Sequence, residues 1–145
     1  MRIHLLWLGL LVGINSLAQK PEIFSTEAGA INGYDPVAYF HDQKPVKGNE
    51  EIRFVWNGAT WHFITEQNLL LFKSEPEKFV PQYGGYCAFG LSRGYKASTQ
   101  PEAWTILNGK LYLNYNTEVQ RKWLENPDDY IKKADAAWPE VRVKK

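Results

Sequence analysis

Cysteine is almost absent from this sequence, because Cys87 is the only one among 145 residues. An intrachain disulfide is therefore excluded, and a structural zinc site built from several cysteines is not expected. The sequence also lacks a charge excess, since 17 lysines and arginines are balanced by 16 aspartates and glutamates. Without a strong positive field, we predict no nucleic-acid partner and no attraction to an anionic membrane.

The sequence has no apolar run of the roughly 20 residues that a membrane-spanning helix needs. The apolar run at residues 5–14 is about half that length. It follows the basic Arg2 and precedes Ser16-Leu17-Ala18, whose small residues suit a cleavage site. We therefore predict a signal peptide at residues 1–18, export to the periplasm or the medium, and no stable membrane anchor after cleavage.

Removal of the signal peptide would leave 127 residues (145 minus 18), which is enough for one domain with its own core. We place that domain at residues 31–139, between an N-terminal linker at 19–30 and a C-terminal tail at 140–145. Aromatic residues make up 14% of the chain, so we expect rings to dominate the core.

Two Asn-Gly pairs, Asn57-Gly58 and Asn108-Gly109, each separate two strand-like runs and predict two-residue β-hairpins. Because side chains alternate along a strand, the turn position fixes which residues share a face. The first hairpin is expected to pair Trp56 with Ala59, Phe54 with Trp61, and Ile52 with Phe63 on one apolar face. The second is expected to gather Trp104, Ile106, Leu111 and Leu113 in the same way.

N-cap signals at Thr65, at Ser74, at Asn116 or Thr117, and at Asn126 predict four helices between and after the hairpins. In the first of these helices, Leu69, Leu70 and Phe72 are expected to face the core. The glycine-containing segment 82–101 is expected to be rich in loops. The predicted fold class is α+β: a single small domain in which the two hairpins form a small antiparallel sheet packed against several short helices.

Three segments occur together in an order that resembles the exported, stand-alone members of the YHS domain family. They are GYDPVAYF at residues 33–40, the stretch 61–72 followed by PEKF at 76–79, and PQYGGYCA at 81–88. The segment NGKLYLNY at residues 108–115 is similar to the same branch. The resemblance runs from about residue 31 to residue 138.

The resemblance implies metal binding for those family members that contain cysteines, often as modules attached to heavy-metal transport proteins. Their cysteines align with Ala38, Ile64 and Asn68 of this sequence, none of which is a cysteine. The soft thiolate ligands that select copper(I) or zinc are therefore missing here at the family positions. Cys87 belongs to a different segment and does not replace them.

The loop before Cys87 is the first candidate site. A thiolate can be a nucleophile or a ligand of a soft metal, and Gly84 and Gly85 allow the close backbone approach that a ligand cradle needs. The alternative is that Cys87 packs as a small apolar side chain beside Tyr83 and Tyr86.

His62, His41 and Asp35 are the other residues with site chemistry. His62 is predicted beside Arg53 on the polar face of the first hairpin, as a metal ligand or as a solvated strand histidine. His41 follows Phe40 in a loop, where a surface role is the alternative. Asp35 precedes a proline and either caps the following turn or contributes to a site.

We predict a non-enzymatic, exported binding module for a transition metal, copper or zinc, or for a small molecule. The site would form where the Asp35 loop meets the Cys87 loop. The alternatives are a thiol-dependent enzyme or redox sensor that uses Cys87, and a module whose exposed aromatic residues bind a partner protein of the cell envelope. The candidate ligand-binding residues are Asp35, Tyr39, Tyr83, Gly84, Gly85, Tyr86 and Cys87, and the candidate metal ligands are Cys87, His62 and His41.

Overall fold

The computed structural model describes residues 20–144, so the predicted signal peptide at residues 1–18 lies outside the described part. This part contains six α-helices and three small antiparallel sheets, which confirms the predicted α+β class. The two predicted hairpins do not join into one sheet, because each sheet has only two strands. The strands are β1 (Ser25–Thr26), β2 (Gly29–Ala30), β3 (Asn49–Trp56), β4 (Ala59–Phe63), β5 (Trp104–Leu107) and β6 (Lys110–Leu113).

The β3–β4 pair contains an irregularity that the sequence did not predict. Strand β4 follows β3 through Asn57-Gly58, and both turn residues have positive φ, 48° and 73°. The register shifts between Asn49 and Arg53, so that Asn49 lies opposite Phe63. The predicted pairing of Ile52 with Phe63 is therefore wrong, because the extra residues of β3 form a bulge that bends the strand.

The helices are short and most begin at a side-chain cap. They are α1 (Pro36–His41), α2 (Glu66–Ser74), α3 (Pro76–Phe79), α4 (Ala88–Ser92), α5 (Thr117–Leu124) and α6 (Pro127–Val141). Thr65 caps α2, as predicted, and Asn116 rather than the alternative Thr117 caps α5; both accept hydrogen bonds from backbone N–H groups. The predicted Ser74 cap is wrong, because Glu75 is the N-cap of α3, and Leu70 of α2 is exposed rather than in the core.

The second hairpin lies between two hydrophobic clusters. One face of β5–β6 packs Leu111 and Leu113 against the rings of the first hairpin and of α2. The opposite face packs Tyr112 against Trp123 of α5 and the helix α6. The core therefore contains rings throughout, and the β5–β6 hairpin joins its two halves.

Both ends of the described part of the chain contribute to the fold more than the sequence predicted. Ile23 and Ala30 are buried, so residues 20–30 form part of the packed domain rather than a linker. Helix α6 continues to Val141, whose side chain is also buried. Within residues 20–144, no helix has the length and apolar character needed to span a bilayer.

Candidate functional site

Asp35 is the centre of a buried hydrogen-bond network. Its Oδ1 accepts hydrogen bonds from the backbone N–H groups of Val37 at 2.8 Å and Ala38 at 3.3 Å, which caps α1. Its Oδ2 accepts hydrogen bonds from the Ile64 N–H at 2.8 Å and the Asn68 amide at 2.9 Å. Because both carboxylate oxygens are already engaged, the geometry supports the structural role for Asp35 rather than a ligand-binding role.

The glycines before Cys87 bind the protein's own N-terminal segment. The Phe24 N–H donates to the Gly84 carbonyl at 2.8 Å, and a Cβ at Gly84 would collide with the Glu22 carbonyl. A Cβ at Gly85 would likewise collide with Ile31. The close approach expected of a ligand cradle is present here, but residues 22–31 of the same chain occupy it.

The predicted tyrosines are core rings whose hydroxyl groups donate to protein acceptors. Tyr39 donates to the Pro101 carbonyl at 3.0 Å, and Tyr86 donates to the Pro21 carbonyl at 2.7 Å. Tyr83 donates to Asp135 at 2.8 Å. Burial raises the pKa of all three phenols above their ordinary value. These rings therefore stabilise the fold and do not line a shared ligand pocket.

Cys87 is buried, and its thiol lies between one backbone partner and one side-chain partner. The sulfur accepts a hydrogen bond from the Tyr115 N–H at 3.2 Å and lies 3.5 Å from the Asn114 Oδ1, to which the S–H can donate. Burial raises the pKa of this thiol, although backbone hydrogen bonds from Gly90, Tyr115 and Phe89 act in the opposite direction. The protonated thiol is therefore the favoured form at neutral pH.

The thiol lies at one wall of an apolar recess of about 270 Å³. Tyr95 and Tyr115 also line it, and each side chain is about half exposed (49% and 50%). Ala97 and Val119 are among the remaining lining residues. We call this pocket the Cys87 recess; its lining residues are Cys87, Phe89, Tyr95, Ala97, Tyr115 and Val119.

The two candidate histidines lie in different surroundings. His62 is opposite Arg53 in the β3–β4 pairing, as predicted, but its side chain is buried rather than solvated. His41 is exposed at the end of α1, with its ring edge-on to Phe79. Among residues 20–144, no group of three or more histidine, cysteine, aspartate and glutamate side chains is placed to hold a metal ion. The structure thus does not bring the expected metal ligands together.

Comparison with known families supports the resemblance seen in the sequence, since the profile of the YHS domain matches residues 37–83. Residues 37–83 therefore correspond to a YHS domain. No curated protein and no solved structure matches the chain significantly. The YHS match includes Asp35's partners Val37, Ala38, Ile64 and Asn68, but it ends before Cys87.

The three positions that the sequence resemblance aligns with the family's cysteines all contact one carboxylate. The backbone N–H groups of Ala38 and Ile64 and the side-chain amide of Asn68 all donate to Asp35. The residues present offer hydrogen-bond donors and apolar side chains at this place, not thiolates. They therefore do not fit a soft metal ion, and a hydrogen-bonded carboxylate holds α1, β4 and α2 together instead.

Asn114, Tyr95 and Tyr115 are site residues that the sequence analysis missed. Asn114 is fully buried, and its Oδ1 also accepts a hydrogen bond from the Phe89 N–H at 3.1 Å. Its Nδ2 has no hydrogen-bond partner among the residues that the structure describes. No local pattern could have linked these residues to Cys87, because 28 positions separate Cys87 from Tyr115.

Proposed function

We propose that this YHS domain protein is an exported, non-enzymatic binding module that holds a small apolar molecule in the Cys87 recess. The observation that carries the proposal is a recess of about 270 Å³ whose walls are mainly aromatic and aliphatic side chains. Apolar pockets with a few polar groups are the usual form of small-molecule sites. Tyr95 and Tyr115 supply rings that can pack against a planar ligand.

The state of the thiol favours binding over thiol chemistry. A catalytic or redox-active cysteine needs a lowered pKa and access to its target, whereas burial raises the pKa of Cys87. Its proton has an acceptor in Asn114 Oδ1. Cys87 therefore acts as a polarisable wall of the recess, and the proposal assigns it neither a nucleophilic nor a metal-ligating role.

The distribution of exposed apolar side chains favours a small ligand over a large protein partner. Val55, Leu70 and Leu124 are exposed on three different elements, β3, α2 and α5, and Val143 is exposed after α6, while Tyr95 and Tyr115 line the recess. Scattered single residues do not form the contiguous patch that marks a protein interface.

Export is supported by the sequence of residues 1–18, and mass spectrometry of the secreted protein should find Gln19 as its first residue.

Titration with the neutral aromatic compounds indole and p-cresol tests the ligand class. We expect saturable changes in the NMR signals of the Tyr95 and Tyr115 rings, because both line the recess. Ala97→Leu should weaken binding at least about tenfold by filling the recess, a loss of about 1.4 kcal/mol. Ser98→Leu is the matched control, because Ser98 is exposed at the next position and does not line the recess.

Cys87→Ser separates this proposal from the thiol-based alternatives. Because the sulfur is only one wall of the recess, the variant should bind the aromatic probes within a few-fold of the original protein. Loss of binding in Cys87→Ser with retention in Ala97→Leu would contradict the proposal and favour chemistry at the thiol. Absence of a saturable change with both probes would contradict it as well.

A further inference from the structure

A second recess, of about 220 Å³, lies where the turn of the β3–β4 hairpin meets α6 and the first residues of the described chain. Its walls include Trp56 of β3 and Trp138 of α6, and we call it the tryptophan recess. Of the candidate tyrosines, Tyr83 alone borders it. It shares no lining residue with the Cys87 recess, so the two sites are separate.

The two tryptophans of this recess are held in place by other rings. Trp56 packs edge-on against Phe72, with the ring centres 5.9 Å apart, and Trp138 packs edge-on against Tyr83 at 6.0 Å. Both tryptophans nevertheless remain partly exposed. Rings that the core already orders, and that still reach solvent in one recess, offer aromatic surface to a ligand at little cost in side-chain entropy.

The charges that line the tryptophan recess are all negative among the described residues, because they belong to Glu22 and Glu77. A third carboxylate is close by, since Asp135 accepts the hydrogen bond of the Tyr83 hydroxyl. The Arg142 guanidinium reaches Glu22 only at 4.0 Å, and both side chains are about half exposed, so this pair offsets little of the negative charge. The recess therefore attracts cations.

The indole rings indicate which class of cation fits. Magnesium gives up its bound water reluctantly, so a metal ion of this kind would gain little from aromatic walls. An alkylated ammonium ion can instead place its charge against the ring faces, whose quadrupole attracts it, while its methyl groups pack on apolar surface. Val80 and Pro81 add such apolar surface to the recess.

We infer that the tryptophan recess binds a small quaternary ammonium ion. Trp56 and Trp138 provide the aromatic walls, and Glu22 and Glu77 provide the opposite charge. This site goes beyond the apolar ligand of the Cys87 recess and can be tested independently of it.

Choline and 3,3-dimethyl-1-butanol test the inference, because the two molecules have nearly the same shape and only choline is charged. With choline, the NMR signals of the Trp56 and Trp138 indole N–H groups should shift saturably, while that of the buried Trp123 stays unchanged. The neutral alcohol should bind at least about tenfold more weakly, because it lacks the attraction to the rings and the carboxylates. Equal binding of the two probes, or no saturable shift with choline, would overturn the inference.

Glu77→Gln tests the contribution of the carboxylates. Glu77 is exposed, so the substitution should leave the fold intact. The variant should bind choline roughly threefold more weakly and the neutral alcohol with unchanged affinity, since only a charge is lost. Glu66→Gln is the matched control, because Glu66 is likewise exposed in the first turn of a short helix and does not line the recess. An unchanged affinity for choline in Glu77→Gln would overturn the inference.

Trp138→Leu tests the contribution of the rings, because it replaces an indole by a smaller apolar side chain. The preference for choline over the neutral alcohol should fall several-fold, since leucine has no ring quadrupole. Unchanged indole signals of the fully buried Trp61 and Trp123 verify that the core of the variant is intact. A preference for choline that equals that of the original protein would contradict the assigned ligand class.

Discussion

Asp35 shows how one side chain can connect segments far apart in the sequence. Its carboxylate caps α1 through Val37 and Ala38 and reaches Ile64 and Asn68, which lie 29 and 33 positions away. The residue is fully buried, so each of these hydrogen bonds forms away from competing water. A carboxylate with four donors around it is costly to replace, because every donor would lose its acceptor.

Asp35→Asn should therefore lower the free energy of unfolding by about 3 kcal/mol. The amide NH₂ would face backbone or side-chain donors in place of one carboxylate oxygen, and the cap of α1 would weaken. Urea denaturation measures the change. Asp42→Asn is the control, because Asp42 is exposed at the opposite end of the same helix. A loss below about 1 kcal/mol would show that the network is not needed for stability.

At the scale of elements, Lys96 fastens both ends of the described chain to the domain. Its Nζ donates to the carbonyl groups of Lys20 at 3.1 Å, Arg142 at 2.9 Å and Lys144 at 3.2 Å. The ammonium also lies 5.3 Å from the centre of the Tyr86 ring. Two of the three acceptors lie just beyond the end of α6, so the lysine holds the segment that follows this helix.

Lys96→Met should remove these three hydrogen bonds and lower the free energy of unfolding by about 2 kcal/mol. We also expect faster hydrogen exchange near residues 20–24 and 141–144, because both segments lose their common anchor. Lys132→Met is the matched control, since Lys132 is exposed on α6. Unchanged exchange at both ends in Lys96→Met would show that the termini are held by other contacts.

At the scale of the whole molecule, the core depends on buried tyrosines that donate hydrogen bonds. Burial raises the pKa of Tyr39, Tyr83, Tyr86 and Tyr112 above the ordinary value of 10.0. The folded state thus holds these protons more tightly than the unfolded chain does. The corresponding stability is fully present below pH 10.0 and is lost as the pH rises further, because only the unfolded chain ionises readily there.

Urea denaturation at a series of pH values above 10 should show this loss. Each tyrosine that stays protonated in the fold contributes a slope of about 1.4 kcal/mol per pH unit. Tyr83→Phe should reduce the total slope by about that amount, and tyrosinate absorbance should rise together with unfolding. The control is Tyr95→Phe, which removes a half-exposed hydroxyl that donates to no other described residue. Identical slopes in Tyr83→Phe and the original protein would contradict this prediction.

Local sequence signals predicted part of the fold correctly. The Asn-Gly positions gave the pairs Trp56–Ala59 and Phe54–Trp61, and the caps Thr65 and Asn116 lie where helices begin. These features depend on residues close together in the chain, so they can be predicted from the local sequence. The bulge that places Asn49 opposite Phe63 could not be predicted from the local sequence, because it depends on packing around β3.

The candidate site was predictable only in part for the same reason. The sequence identified Cys87 and His62 as unusual residues, but it could not show that a protonated thiol borders an apolar recess or that glycines enclose an imidazole. It also suggested a ligand cradle at Gly84, where the structure places residues 22–24. Which partner fills such a position depends on long-range packing.

By itself, the sequence determined the α+β class, the resemblance to the YHS family and the positions of turns and caps, because each follows from neighbouring residues. Only the tertiary structure decided the partners of chemically active groups. Asp35 meets Asn68, Cys87 meets Asn114, and Lys96 meets Lys20 across separations of 33, 27 and 76 positions. Contacts over such distances form when packing closes the loops between them, and no local pattern encodes them.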